Sequence, residues 1–401
     1  MGRVTPEQEG RAARGWLTSR APAGASGGGS VSRISPPTAE RPAGLGGRVR
    51  GAVRTLSPGY LALVMATGIM SVAMSEHGLP GLSLALLWLA VACYVVLVVL
   101  YAWRLLRYRA DAGGDLRDPA RAFGFFTIVA GTDVLGTRLA ADGQALVAFA
   151  LLTAAGAAWL ALVYVVPWLA ALHGRSQVIA EVNGTWFIWA VATQSVAVLS
   201  ATLEPAVQTG RAALAFLAMF CWSVGIFLYG AAAVFVAARI LFYGLSPRDL
   251  TPPYWVAMGA TAITVLAGAR IVAMASAPAV DATRHLIAGF SVLFWAFGTW
   301  LFPPLIAAWV WRHIVHKVPL GYEAALWAII FPLGMYSVAA YSLDAEGHLP
   351  IAGVIGEVEG WVALAAWVVT FAAMLCHLCR TLLQEPPVPS ASAMAEPSGG
   401  P

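Results

Sequence analysis

Charge is what this sequence has least of. Only 11% of its 401 residues are Asp, Glu, Lys or Arg, and 59% are hydrophobic, against roughly 25% charged in an ordinary soluble domain. That scarcity excludes a soluble globule. Lysine is nearly absent, with Lys317 alone beside 23 arginines. Together with the abundant Ala and Gly, this reads as the composition of a bacterium with a GC-rich genome, not as arginine-specific chemistry. The net charge of +4 does not predict a nucleic-acid partner, because nine of the 24 basic residues precede residue 55 and the rest are nearly balanced by acids. Cysteine is scarce too: Cys93, Cys221, Cys376 and Cys379 all lie in apolar runs, where thiols behave as small hydrophobes, so no disulfide framework is implied. Cys376-His377-Leu378-Cys379 has metal-like spacing, but it ends an apolar run with no second ligand cluster, and neither a metal nor a cofactor is expected. His313 and His316 flank a basic membrane edge. Convergent catalytic groups are also lacking: no His sits in mid-span beside a carboxylate or a Cys pair apart from that weak cluster. An enzyme is therefore not expected.

What the chain does have is long apolar runs. Ten lie near 58–76, 81–106, 121–140, 145–172, 184–203, 211–242, 253–275, 285–313, 321–343 and 357–383, each long enough to cross a bilayer or nearly so. Short connections carrying Gly, Pro or charge separate them. Only helices and closed barrels satisfy backbone polar groups in lipid, and alternating barrel strands are absent, so the expected fold is an all-α integral membrane protein of ten transmembrane helices in five hairpins. Residues 1–55 and 384–401 are rich in Gly, Ala, Pro and Ser. They are expected to be disordered tails flanking a transport domain at 56–383. No stretch before residue 55 is apolar enough for a signal-peptide core. Arg48, Arg50 and Arg54 precede the first span, and Arg104, Arg107, Arg109, Arg117, Arg121, Arg175, Arg239, Arg248, Arg312 and Lys317 mark the even-numbered connections. The opposite connections carry Glu76, Asp142, Glu204, Asp281, Asp344 and Glu346, with Arg211 and Arg284 as exceptions. Both termini are thus expected in the cytoplasm and the chain in the plasma (inner) membrane.

The odd-numbered spans repeat one another: "GYLALVMATGIMS", "GFFTIVAGTDVLG", "TWFIWAVATQSVA", "PYWVAMGATAITV" and "ALWAIIFPLGMYS". An aromatic (Tyr60, Phe125, Trp186, Tyr254 or Trp327) is followed seven residues later by Thr67, Thr132, Thr193, Thr261 or Gly334. Seven residues is two turns, hence one face. Small, weakly polar positions at matching depth in five helices suggest a ring lining a pore; the alternative is close helix packing, with Thr hydroxyls bonding their own backbone. Three residues earlier lie Val64, Val129, Ala190, Met258 and Phe331, nearly on the same face. Phe331 would obstruct such a pore, and Pro332 would kink its helix, a combination that reads as a gate. Few ionisable residues lie inside the spans. Arg138 and Arg270 could attract an anion into an outer vestibule, or else snorkel or pair with acids. Asp133, beside Thr132, opposes anions if charged and facing the pore; it could instead pair with Arg138 or relay a proton.

"LSPGYLALVMATGIMSVA", "GTWFIWAVATQSVAVLSA", "PPYWVAMGATAITVLAGA" and "LWAIIFPLGMY" resemble the tellurite-resistance/dicarboxylate transporter family. That family includes slow anion channels of plant guard cells, malate permeases and sulfite exporters. The resemblance covers about residues 56–383 and implies quasi-five-fold symmetry, with odd helices lining a central pore, even helices outside, and a homotrimer in the lipid bilayer with one pore per protomer. It also implies a plugging Phe on the ninth helix, which Phe331 matches. Unlike the family's commonly kinked inner helices, only the ninth span here carries a mid-span proline. The expected function is passage of small inorganic or carboxylate anions. The alternatives are a proton-coupled carrier of dicarboxylate, sulfite or tellurite using Asp133 and, from another class, a membrane-anchored enzyme or sensor.

Overall fold

A computed structural model describes residues 44–172, 178–275, 277–345 and 349–383. The tail regions 1–43 and 384–401 lie outside it, as do Arg175 and Glu346. Every element among the described residues is helical. In chain order these are α1 (Leu45–Arg54), α2 (Ala62–Glu76), α3 (Pro80–Arg107), α4 (Arg109–Arg117), α5 (Phe126–Ala141), α6 (Ala145–Leu172), α7 (Val178–Glu181), α8 (Phe187–Leu203), α9 (Arg211–Phe242), α10 (Val256–Val272), α11 (Pro278–Val310), α12 (Trp327–Ala345) and α13 (Pro350–Leu383).

The expectation of an unstructured chain up to residue 55 does not hold for α1. Val53 is buried, the Arg54 carbonyl accepts from Arg104 Nε at 3.1 Å, and the Arg54 side chain pairs with Asp111 at 3.1 Å. These are tertiary contacts that composition cannot register. Arg104 in turn meets Asp115 at 2.6 Å, both buried. The ten long and inner helices match the apolar runs, except that α11 and α13 start about two turns earlier, at Pro278 and Pro350, while the short α4 and α7 lie in the connections between runs. Proline at a first helical position is preset for the helix, and the charged residues that follow, such as Asp281 and Glu357, hide these starts from an apolar window.

Five helices are short and five long, for a physical reason. Each of α2, α5, α8, α10 and α12 is entered through a 3-10 turn: Pro58–Leu61, Ala122–Phe125, Gly184–Trp186, Pro252–Trp255 and Ala324–Leu326. The repeated aromatics lie in or just after these turns. The 15 residues of α2 rise about 22 Å, and the turn adds about 8 Å, together near the roughly 30 Å of hydrocarbon. Nine helices among the described residues are individually long and apolar enough to span a membrane. The remaining inner helix, α5, has 16 residues and carries Asp133 and Arg138.

Packing sorts the helices into two layers. The short ones form a closed cycle, α2 against α5, α5 against α8, α8 against α10, α10 against α12 and α12 against α2, and each is backed by the long helix that follows it. The best spanning windows of α2, α8, α10 and α12 are 72–89% buried, whereas those of the long helices are only 22–28% buried. The long helices expose Trp88, Val99, Leu160, Phe227, Leu293 and Val369, a surface suited to acyl chains and not to water. Glycines let the inner helices close up. A Cβ on Gly259 would lie 2.8 Å from Pro332 Cγ, and one on Gly68 would lie 2.9 Å from Val134 Cγ1, so both contacts require the missing side chain.

Replacing Gly259 by Val should therefore destabilise the bundle by on the order of 2 kcal/mol through overpacking. Gly230→Ala, at a position with nothing within 4 Å, should leave the melting temperature of the purified protein unchanged. Equal melts for the two variants would contradict the tight α10–α12 contact.

Candidate functional site

At the centre of the five-helix cycle is a cavity of about 20 Å³, room for about one water. All five inner helices line it: Ile69 and Val72 from α2, Val134 and Thr137 from α5, Ser195 and Val198 from α8, Ile263, Leu266 and Arg270 from α10, and Met335 from α12. Thus four helices present the residues two positions after the repeated threonines. Two residues turn a helix by about 200°, so the threonines point the opposite way.

Their hydrogen bonds agree. Trp367 Nε1 on α13 donates to Thr67 Oγ1 at 3.1 Å, and Trp159 Nε1 on α6 donates to Thr193 Oγ1 at 2.9 Å. Thr132 Oγ1 donates to Ile128 O at 2.7 Å, which leaves Tyr94 OH on α3 to donate to it at 3.0 Å. Thr261 donates to Met258 O at 2.6 Å and faces α11, where a Cβ on Gly298 would sit 2.5 Å from its Oγ1. Gly334 faces Ile69 and Met70 of α2. The expected pore lining of Thr67, Thr132, Thr193, Thr261 and Gly334 is therefore corrected: these residues sit between helices. A hydroxyl in a dry bundle goes where a partner is, and the partners are aromatic N–H and O–H groups on the outer layer. Val64, Val129, Ala190 and Met258 are fully buried and precede the axial residues of their helices by five positions, about 140° off that face. They do not line this cavity.

Phe331 differs from this row. On α12 the cavity residue is Met335, one position earlier in the repeat than on the other helices. Tyr336, which the repeat would place there, instead bonds Thr299 on α11 at 2.7 Å. Pro332 lies inside this helix and removes a backbone donor. Phe331 thus lies four residues before Met335 on one face, one turn from the cavity toward the end where the inner helices begin, and it is 1% exposed.

The ionisable residues separate by role. Arg270 lines the cavity and is exposed. Arg138, by contrast, is buried. Its Nε donates to Ser71 Oγ at 3.0 Å and its Nη2 to Ser83 Oγ at 3.0 Å, while Nη1 pairs with Asp142. A vestibule role for Arg138 is not compatible with these bonds, which tie α2, α3 and α5 together. Asp133 is fully buried. Its Oδ2 accepts from Ser195 Oγ at 2.8 Å, and Oδ1 has no partner among the described residues. The acid stands behind a serine that lines the cavity, and Arg138 is paired elsewhere. Beside the start of α12, Tyr322 OH bonds Tyr60 OH at 3.0 Å and accepts from Trp327 Nε1 at 3.1 Å. Burial pushes the Tyr322 phenol up, so it stays protonated. The sequence pattern missed the row two residues after the threonines; its signal was the small or aliphatic character of Ile69, Val134, Ser195 and Ile263 at equal depth.

Short inner helices ringed by long lipid-facing ones, around a narrow axial cavity, define a polytopic helical membrane protein. The chain belongs to the voltage-dependent anion channel family, whose model matches residues 55–375. An uncharacterized membrane protein of Mycobacterium tuberculosis (strain H37Rv) is 65% identical over 156 residues, 39% of this chain and 79% of that protein. An uncharacterized transporter of Methanocaldococcus jannaschii is 24% identical over 324 residues, 79% of this chain and 92% of that protein. Family and relatives point to transport and not to enzymatic chemistry.

Thr193→Val should cost about 1–3 kcal/mol by stranding the Trp159 donor, read as a lower melting temperature, and leave the relative flux of different anions unchanged. A changed anion preference would return Thr193 to the axis.

Proposed function

We propose that the protein passes small anions across the membrane along the axis of the five inner helices, with Phe331 closing the path and Arg270 drawing anions toward it from the opposite end. The observation that carries this reading is the axial cavity, shared by all five inner helices and bearing a single cation among its described lining residues. The lining is otherwise aliphatic, with Ser195 and Thr137 as its hydroxyls. Selectivity then comes from diameter and from the cost of stripping water. With Phe331 in place the path is closed, and the aromatic must move or be removed for flux. The arginine bias supports a reading in which both termini lie on the cytoplasmic side of the membrane, here the plasma membrane. Three protomers, each with its own path, pack through their apolar outer faces.

A second reading rests on Asp133, whose carboxylate holds the hydroxyl of the cavity-lining Ser195. A proton taken or released there would alter what Ser195 offers the axis, coupling proton movement to that of a dicarboxylate, sulfite or tellurite anion.

In liposomes holding an anion-sensitive dye, Phe331→Ala should raise anion flux several-fold, and unchanged flux would remove the plug. Arg270→Gln should slow anion entry, most strongly at low ionic strength, where a single charge acts over a longer range. Under an imposed pH gradient, Asp133→Asn should abolish proton-driven accumulation if the second reading holds; accumulation with unaltered pH dependence would exclude it.

A further inference from the structure

Away from the axis, four unusual features converge where the long helix α11 ends and the chain turns into α12. The helix closes in a π turn at Trp311–Val315, a form that recurs at functional sites. Lys317, two residues on, has φ +51°, the only non-glycine residue with positive φ among those described. A lysine there is strained, and such strain persists where surrounding structure or function holds it. Arg312 gives Nη1 to the carbonyls of Arg248 (3.1 Å) and Leu250 (2.9 Å), while its buried Nε finds no partner among the described residues.

The fourth feature is two adjoining cavities that share Pro319. One, of about 330 Å³, is lined by Arg248, His316 and Lys317. Asp249 does not neutralise it: its carboxylate accepts from the Ser246 N–H at 2.8 Å and meets Arg239 at 3.5 Å, and that N–H chiefly holds its carboxyl below the usual range. The other cavity, of about 260 Å³, has walls of Trp255, Leu305, Trp309, Leu320 and Ile329, with Arg312 at its polar side and Glu323 as the one acid among its described lining residues. Its surroundings are apolar and open, with Ile314, Val315 and Leu320 each at least 60% exposed. A basic compartment beside an aromatic and aliphatic one, at the arginine-rich end of a membrane bundle, complements a molecule with an anionic head and a hydrocarbon tail.

We propose that this paired cavity binds one anionic phospholipid, its phosphate held by Arg248 and Lys317 and its acyl chain between Trp309 and Ile329. Basic pockets between helices at a membrane face take such headgroups. The site adjoins the start of α12: Ile329 lies two residues before Phe331, so lipid occupancy bears on the helix that carries the plug.

The test is binding and not flux, and so stands apart from the transport reading. Full-length protein in mixed micelles is given phosphatidylglycerol or phosphatidylcholine with identical chains, and retained lipid is counted by native mass spectrometry. Wild type should prefer phosphatidylglycerol. Lys317→Gly, which suits the left-handed backbone while removing the ammonium, should lower that preference about fivefold, the contribution of one interfacial basic group, without lowering the melting temperature. Arg109→Ala, an exposed arginine at the same end, should leave the preference intact, and chainless glycerophosphate should fail to displace the lipid. No wild-type preference, or an equal loss in Arg109→Ala, would overturn the site. Displacement by glycerophosphate would overturn its lipid identity in favour of a free phosphate.

Discussion

A hydroxyl or indole N–H inside a lipid-immersed bundle must find a partner, and in this protein the partners are arranged between layers. Trp367, Tyr94 and Trp159 each reach inward from a long helix to a threonine on a short one. In each case the long helix belongs to the preceding hairpin of the cycle, with α13 preceding α2. The same contacts that satisfy these groups therefore join hairpin to hairpin and close the ring. They also fix the rotation of each inner helix about its own axis, and so choose which residues meet at the centre. With the hydroxyls turned outward, the centre is left to Ile69, Val134, Ile263 and their neighbours.

That arrangement has an electrostatic consequence. The two hydroxyls that do line the cavity are engaged with α5 or α8: Thr137 donates to Asp133 O at 2.9 Å, and Ser195 lies 2.8 Å from both Asp133 Oδ2 and Ala192 O. The cavity's surface is mostly aliphatic, and Arg270 supplies the one full positive charge among its described lining residues. Arg138 has the same charge but is spent on structure, since Ser71, Ser83 and Asp142 surround it. Breaking such a buried network leaves an uncompensated charge, which is why its place is a strut between α2, α3 and α5.

The ninth span is where the repeat is broken to use. Four inner helices present matching positions to the axis, but α12, which carries Pro332, is offset by one. The offset brings Phe331 onto the axial face and sends Tyr336 to Thr299. The first turn of the same helix also adjoins the paired cavity beside α11. The element that departs from the repeat thus stands between the axis and the membrane surface.

Much of this was readable in the residues alone. Scarce charge and ten apolar runs dictate a helical membrane bundle, because lipid offers no hydrogen bonds to an open backbone. The aromatic-to-threonine spacing marks the five equivalent helices, and the 3-10 turns fall at those aromatics. The direction of the threonines was beyond the sequence. A period of 3.6 states which residues share a face but not which neighbour that face meets, and an inner helix buried on all sides carries no polar stripe to orient it. Only the partners supplied by Trp159, Trp367 and Tyr94 settled that rotation, just as only the contacts of Ser71 and Ser83 separated Arg138 from Arg270. Residue pattern determined the elements and their equivalence; the rotation of each helix depended on side chains up to 300 positions away.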